Sequence, residues 1–94
     1  MKQKAKELQD LLRDRIKAGH IHRWRHVDVM LFDDAPDDYK QKTIMQPNEC
    51  LIRWNGNKKN GIHNEEFRTF PVEDINKVIA RNTERFKSER SIYK

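Results

Sequence analysis

Arg23, Trp24 and Arg25 stand in a row, bracketed by His20, His22 and His26. Guanidinium groups flanking an indole are the parts that grip a phosphate backbone and stack on a base, which makes this stretch the best nucleic-acid signal in the chain. The competing reading has Trp24 packed in the core and the arginines merely solvated, since aromatic residues dominate small cores. Burial of Trp24 separates the two.

If the stretch is extended, His20, His22, Trp24 and His26 share one face, because strand neighbours alternate. Three imidazoles on one face are a partial zinc site. A structural site needs a fourth ligand, and neither the single Cys50 nor any C-x-x-C pair offers a recognisable spacing. The preferred reading is surface histidines at a strand entrance, with no metal and no other cofactor.

Two more basic groups bear on phosphate binding. Lys58 and Lys59 lie between Asn55-Gly56 and Asn60-Gly61, where they touch a backbone phosphate or simply keep a hairpin loop soluble. Lys77, Arg81 and Arg85 recur at four-residue steps, a phosphate-tracking stripe on a bare helix. Glu73 and Glu84 are close enough in sequence to lace that face with ion pairs instead.

Asp28, Asp33, Asp34, Asp37 and Asp38 are the acidic counterpart, and nucleases use carboxylates to hold magnesium. Their spacing matches no nuclease pattern, and His63 with Glu65 and Glu66 is only a sequence neighbourhood. The chain carries no Gly-rich phosphate loop, nucleophile elbow or Cys-His signature. It reads as non-enzymatic, a metal-dependent nuclease being the nearest catalytic alternative.

These residues need elements to position them. Ala5, Leu8, Leu11, Leu12 and Ile16 recur at three- and four-residue steps, which predicts a helix over Lys2 to Ala18, and Gly19 suits its C-terminal stop. Ile21 to Phe32 reads as a strand, with Val27, Val29 and Leu31 on one face and Trp24, Met30 and Phe32 on the other. The run Asp33 to Asp38 is a loop or helix start with Asp34 as candidate cap, followed by one helical turn through Lys42. Cys50, Ile52 and Trp54 alternate with Leu51 and Arg53 as a second strand. The Asn-Gly pairs frame a hairpin loop, and a third strand runs from Ile62 to Phe70.

Pro71 fits a first helical position with Glu73 and Asp74 in the first turn. Val72, Ile75, Val78, Ile79, Phe86 and Tyr93 then keep one wide face nearly to Lys94. The fold class is α+β in α-β-β-β-α order, a three-stranded antiparallel sheet packed against two helices on one face. No repeat or linker divides it, so residues 1–94 form a single small basic domain.

That element order is shared with double-stranded RNA-binding domains. Gly61-Ile62-His63 followed by Phe67 resembles their strand-loop glycine and histidine, shifted by one residue. Those domains bind phosphates with lysines at the start of the last helix. Here the position reads Val72-Glu73-Asp74, which repels phosphate, and the chain is not assigned to that family.

Composition narrows the function. With 94 residues and 35% hydrophobic content there is room for one modest core and no deep enzyme cleft. The single cysteine rules out an intrachain disulfide and points to a cytoplasmic address. The longest apolar run, Val29 to Phe32, is far too short to span a membrane, and Glu7, Gln9 and Asp10 interrupt any export signal.

The net charge of +5 is blocked: residues 1–27, 39–61 and 75–94 are basic, while 28–38 and 62–74 are acidic. Two functions follow. One is a domain acting on nucleic acid or a nucleoprotein complex through Arg23, Trp24, Arg25, Lys58, Lys59, Lys77, Arg81 and Arg85. The alternative is a protein-binding inhibitor or adaptor, of the kind a phage or mobile element encodes, acting on a nucleic-acid-processing machine. Asp33 to Asp38 segregated from the arginines favour the first; intermixed with them, they favour the second. A thin core with exposed Trp54, Phe70 or Tyr93 would suit a homodimer.

Overall fold

The computed structural model describes residues 1–21, 23–59 and 62–88, apart from the side chains of 57–59, 62 and 63. The elements run α1 (Lys2–Lys17), β1 (Val27–Leu31), a 3-10 turn (Phe32–Asp34), α2 (Asp37–Thr43), β2 (Glu49–Lys59), β3 (Ile62–Pro71), a second 3-10 turn (Val72–Asp74) and α3 (Ile75–Ser88). The strands make one antiparallel sheet in the order β1-β2-β3. The α+β class and the α-β-β-β-α order hold, with α2 added between β1 and β2.

Residues paired across an antiparallel ladder share a face. Val29 pairs with Ile52 and Leu31 with Cys50, while Cys50 and Ile52 pair on their other side with Phe70 and Arg68. This face lies under α1 and α3, where Leu8, Val27, Cys50 and Ile75 are fully buried and Ala5 and Leu12 complete the layer. Each buried Leu, Val or Ile there stabilises by about 1.5–3 kcal/mol, which is what holds the helices on the sheet.

The opposite face carries a second, smaller apolar cluster around Leu51 of β2. Leu51 is buried there with Ala35 and Met45, and Met30, Phe32, Tyr39 and Phe67 pack around them. Tyr39 brings α2 onto this face, so the helices are not confined to one side as the sequence suggests.

Helix α1 stops where Gly19 predicts. Gly19 has φ 80°, its N–H bonds the Ile16 carbonyl at 3.0 Å, and the His20 N–H bonds the Arg15 carbonyl at 2.9 Å. That is the paired closure of a Schellman motif, open to glycine without a Cβ clash.

Several boundaries differ from the sequence reading. β1 begins at Val27, because the Trp24 N–H turns back to the Ile21 carbonyl and Arg25 and His26 both bond the single residue Asn55 of β2, a bulge-like step that ends the regular ladder. Trp24 consequently joins the Val27 and Val29 cluster, not the face of Met30 and Phe32. Strand β2 runs through Asn55-Gly56 rather than turning there, and a register shift between Asn55 and Lys58 absorbs the irregularity. Asp34 does not cap α2; it sits in the preceding 3-10 turn, and Asp37 and Asp38 supply the first-turn acids. Pro71 ends β3, and α3 starts four residues later at Ile75.

Tyr93, the expected helical run to Lys94, and Asn60-Gly61 lie outside the described residues. Trp54 and Phe70 are half-buried against the helix-side core. Among the described residues no helix is long and apolar enough to cross a membrane.

Candidate functional site

The helix-side layer does not close completely. Helix α3 is tight to the core at Ile75, but from Val78 to Arg85 it borders a cleft of about 530 Å³ facing β3. Its walls are Leu12 and Arg15 of α1, the connecting residues His20, Ile21 and Trp24, Ile52 of β2, Arg68 and Phe70 of β3, and Val78, Arg81, Asn82 and Arg85 of α3. A cleft of this size falls in the range of small-molecule sites, in a chain whose composition predicts none.

Helical spacing explains the α3 wall, since residues 78, 81, 82 and 85 fall on one face at steps of three and four. Arg81 and Arg85 are exposed, and so is Arg68 on the edge strand. Arg15 is 5% exposed. Its Nη1 donates to Asn82 Oδ1 at 2.6 Å, and Asn82 Nδ2 donates to the Val78 carbonyl at 2.8 Å. The pair fastens the end of α1 to the middle of α3 and holds a fixed positive charge at the cleft wall.

Trp24 is half-buried and stacks on Trp54, with ring centroids 4.2 Å apart and planes 12° off parallel. Trp54 Nε1 donates to Glu66 Oε2 at 2.7 Å. Glu66 occupies the space that a side chain at position 56 would fill, which is why Gly56 sits inside β2. Gly56, Glu66, Trp54 and Trp24 thus form a series that sets the angle of the indole at the cleft. Trp24 packs on the core and also lines the cleft.

The other residues singled out by sequence divide. Arg25 lines a separate hollow of about 220 Å³ with Arg13, Ile16, Lys17, His26 and Val27. Arg23 is exposed on the connecting turn, and Lys77 is exposed on α3 without lining the cleft. Lys58 and Lys59 lie near the end of β2, opposite His63 and Ile62. Among the described residues no ion pair engages Lys77, Arg81, Arg85, Glu73 or Glu84, so α3 is not laced as the sequence allows.

His20 and His26 lie apart. His20 packs edge-on to Phe86 with centroids 5.2 Å apart, whereas His26 lies in the second hollow, and His22 is outside the described residues. Among the described residues no three His, Cys, Asp or Glu groups converge to hold a metal.

Among the described residues no Asp or Glu lines the cleft, although Glu66 braces the Trp54–Trp24 stack and Glu84 precedes Arg85 on α3. Asp34 pairs with Lys2 at 3.5 Å, at the opposite end of α1 from Arg15 and about 20 Å away along the helix axis. Asp37 and Asp38 belong to α2, on the other side of the sheet. Asp28 is engaged by Arg13 at 3.0 Å and Arg53 at 2.9 Å. On that same face Arg53 also bonds Glu65, and this bond, followed by one from Tyr39, holds the Glu65 carboxyl below the ordinary glutamate range.

Of the polar and aromatic residues lining the cleft, the sequence singles out Trp24, Arg81 and Arg85 but not Arg15, Arg68 and Asn82. A signal existed for the two arginines. Arg15 falls on the apolar stripe of α1 after Leu8 and Leu12, and Arg68 alternates in phase with Phe70; a cation on an apolar face needs either a partner or a ligand. No protein-family model, no curated protein and no solved structure matches the chain.

Proposed function

We propose that this chain is a non-enzymatic binding domain for nucleic acid, and that its ligand enters the cleft between α3 and β3. One observation carries the reading: the exposed Arg68, Arg81 and Arg85 border a cleft that no described acid lines, while Asp33, Asp34, Asp37 and Asp38 belong to the far end of α1 and the far side of the sheet. The exposed guanidinium groups of Arg68, Arg81 and Arg85 repel each other around one cleft, and a polyanion relieves that repulsion while releasing its own counterions. Trp24 adds an aromatic surface against which a base stacks.

The test is fluorescence anisotropy of labelled single- and double-stranded DNA and RNA across a salt series, with Arg81→Ala/Arg85→Ala beside the parent. Binding should fall steeply with salt. Losing two phosphate contacts should flatten the log–log salt slope by roughly 1.4 on a single strand. Absence of binding to all four ligands at low salt overturns the proposal.

A second reading, a protein-binding inhibitor or adaptor, is favoured by a different observation. Ile44, at the end of the acid-led helix α2, is 77% exposed. If that reading holds, a partner binds the α2 side and the cleft arginines can be replaced without loss.

A further inference from the structure

We infer that the cleft takes an unpaired base with its adjoining phosphates, so that the ligand is single-stranded nucleic acid rather than duplex. The inference rests on the nucleic-acid reading and narrows it. A surface that binds duplex phosphates by charge alone has no need of depth or of an apolar interior. This site has both: Ile52, Phe70 and Val78 line it with Trp24, and the exposed cations Arg68, Arg81 and Arg85 border it. Apolar walls with a few convergent polar groups describe a small-molecule pocket more than an electrostatic track. Bases in a duplex are stacked on both faces and cannot enter such a pocket; an unpaired base can.

The polar groups inside suggest how the base is read. Asn82 is the amide best placed to recognise a base edge, yet its oxygen accepts from Arg15 and its nitrogen donates to Val78. Trp24 is braced on Trp54, so it presents a fixed aromatic surface without having to be ordered on binding. The two bonds of Asn82 fix its amide and leave it one free N–H and one lone pair, too few to read a whole base edge, so recognition proceeds chiefly by stacking and apolar contact, with the arginines on the phosphates. Every base offers a π-face, so such a site tolerates any sequence.

The experiment compares three ligands of equal length with the intact chain at one salt concentration: a single strand, the same strand with abasic sites throughout, and the duplex. Binding is read by anisotropy and by quenching of tryptophan fluorescence. The single strand should bind about tenfold or more tighter than the abasic strand, and quench where the abasic strand does not. Homopolymers of different bases should fall within a few-fold of one another. A Trp24→Leu variant, which removes the stacking surface and no charge, should bind single strand and abasic strand alike by anisotropy. Its fold is checked by circular dichroism, and the abasic comparison needs no variant at all. Equal binding of all three ligands overturns the inference and leaves nucleic-acid binding standing; no binding of any of them overturns the underlying reading.

Discussion

Arg15, near the end of the first helix, donates a 2.6 Å hydrogen bond to Asn82 in the last, across 67 residues of chain. The bond ties the two helices where the sheet no longer supports α3. Replacing Asn82 by Ala removes an acceptor from a buried guanidinium and should destabilise the fold by about 1–3 kcal/mol. Arg15→Met removes the charge and keeps the bulk, so it should cost less than Asn82→Ala. Urea denaturation of both variants gives the order directly, and the reverse order would show that the pairing is not what holds α3.

Gly56 leaves the space that Glu66 fills to accept the Trp54 indole N–H. A methyl group there collides with the Glu66 carboxylate, so Gly56→Ala should displace it and loosen the Trp54–Trp24 stack. The expected signs are a shift in tryptophan emission and a loss of about 1–2 kcal/mol from the broken bond and weakened stacking. Glu66→Gln keeps an acceptor oxygen and should leave emission nearly unchanged; equal shifts in the two variants would contradict this.

Much of the architecture is legible in the sequence because local patterns agree with the global fold. The stripe ending at Gly19 gives α1 and its stop, and the alternation of Cys50, Ile52 and Trp54 gives β2. What misleads is local chemistry that distant residues override. Asn55-Gly56 has the composition of a turn, but its glycine answers to Glu66 on the neighbouring strand. Ile21 to His26 is patterned like a strand, yet the Trp24 stack on Trp54 needs a turn there. Arg15 and Arg68 escape notice because their roles depend on elements more than 50 residues apart in the chain meeting at one cleft.

Glu65 links stability to pH. Its carboxyl is held below the ordinary glutamate range by the hydrogen bond from Arg53 and then by that from Tyr39. A depressed folded-state value means that the unfolded chain binds the proton more readily. The contribution is complete above the unfolded value and is lost as pH falls through the folded one. Thermal midpoints should therefore drop as pH falls below about 4, more steeply for the parent than for Glu65→Gln. Parallel curves for the two proteins would exclude this linkage.

Ile44 adopts φ 52° and ψ 46° at the end of α2, a left-handed conformation that crowds a β-branched side chain. It is 77% exposed, so little packing compensates. Ile44→Asn should stabilise by about 0.5–1 kcal/mol, seen as a higher urea midpoint with unchanged slope. A lower midpoint would mean that Ile44 contributes contacts that outweigh its strain.

Cys50 is fully buried in the helix-side core, and burial pushes its thiol up to about 11. Alkylation at pH 8 should track global unfolding and accelerate in urea with the stability of the domain. Rapid modification of the native protein would contradict the packing of this layer.

The most direct measurement of the central claim is a nuclear magnetic resonance titration of the isotope-labelled protein with a short single-stranded oligonucleotide. The expected result is that the Trp24 indole and the Arg68, Arg81 and Arg85 Nε–H signals shift together, with the α2 amides unmoved. Shifts confined to Asp33 through Ile44, or no shifts at stoichiometric ligand, would contradict the assignment of the cleft to nucleic acid.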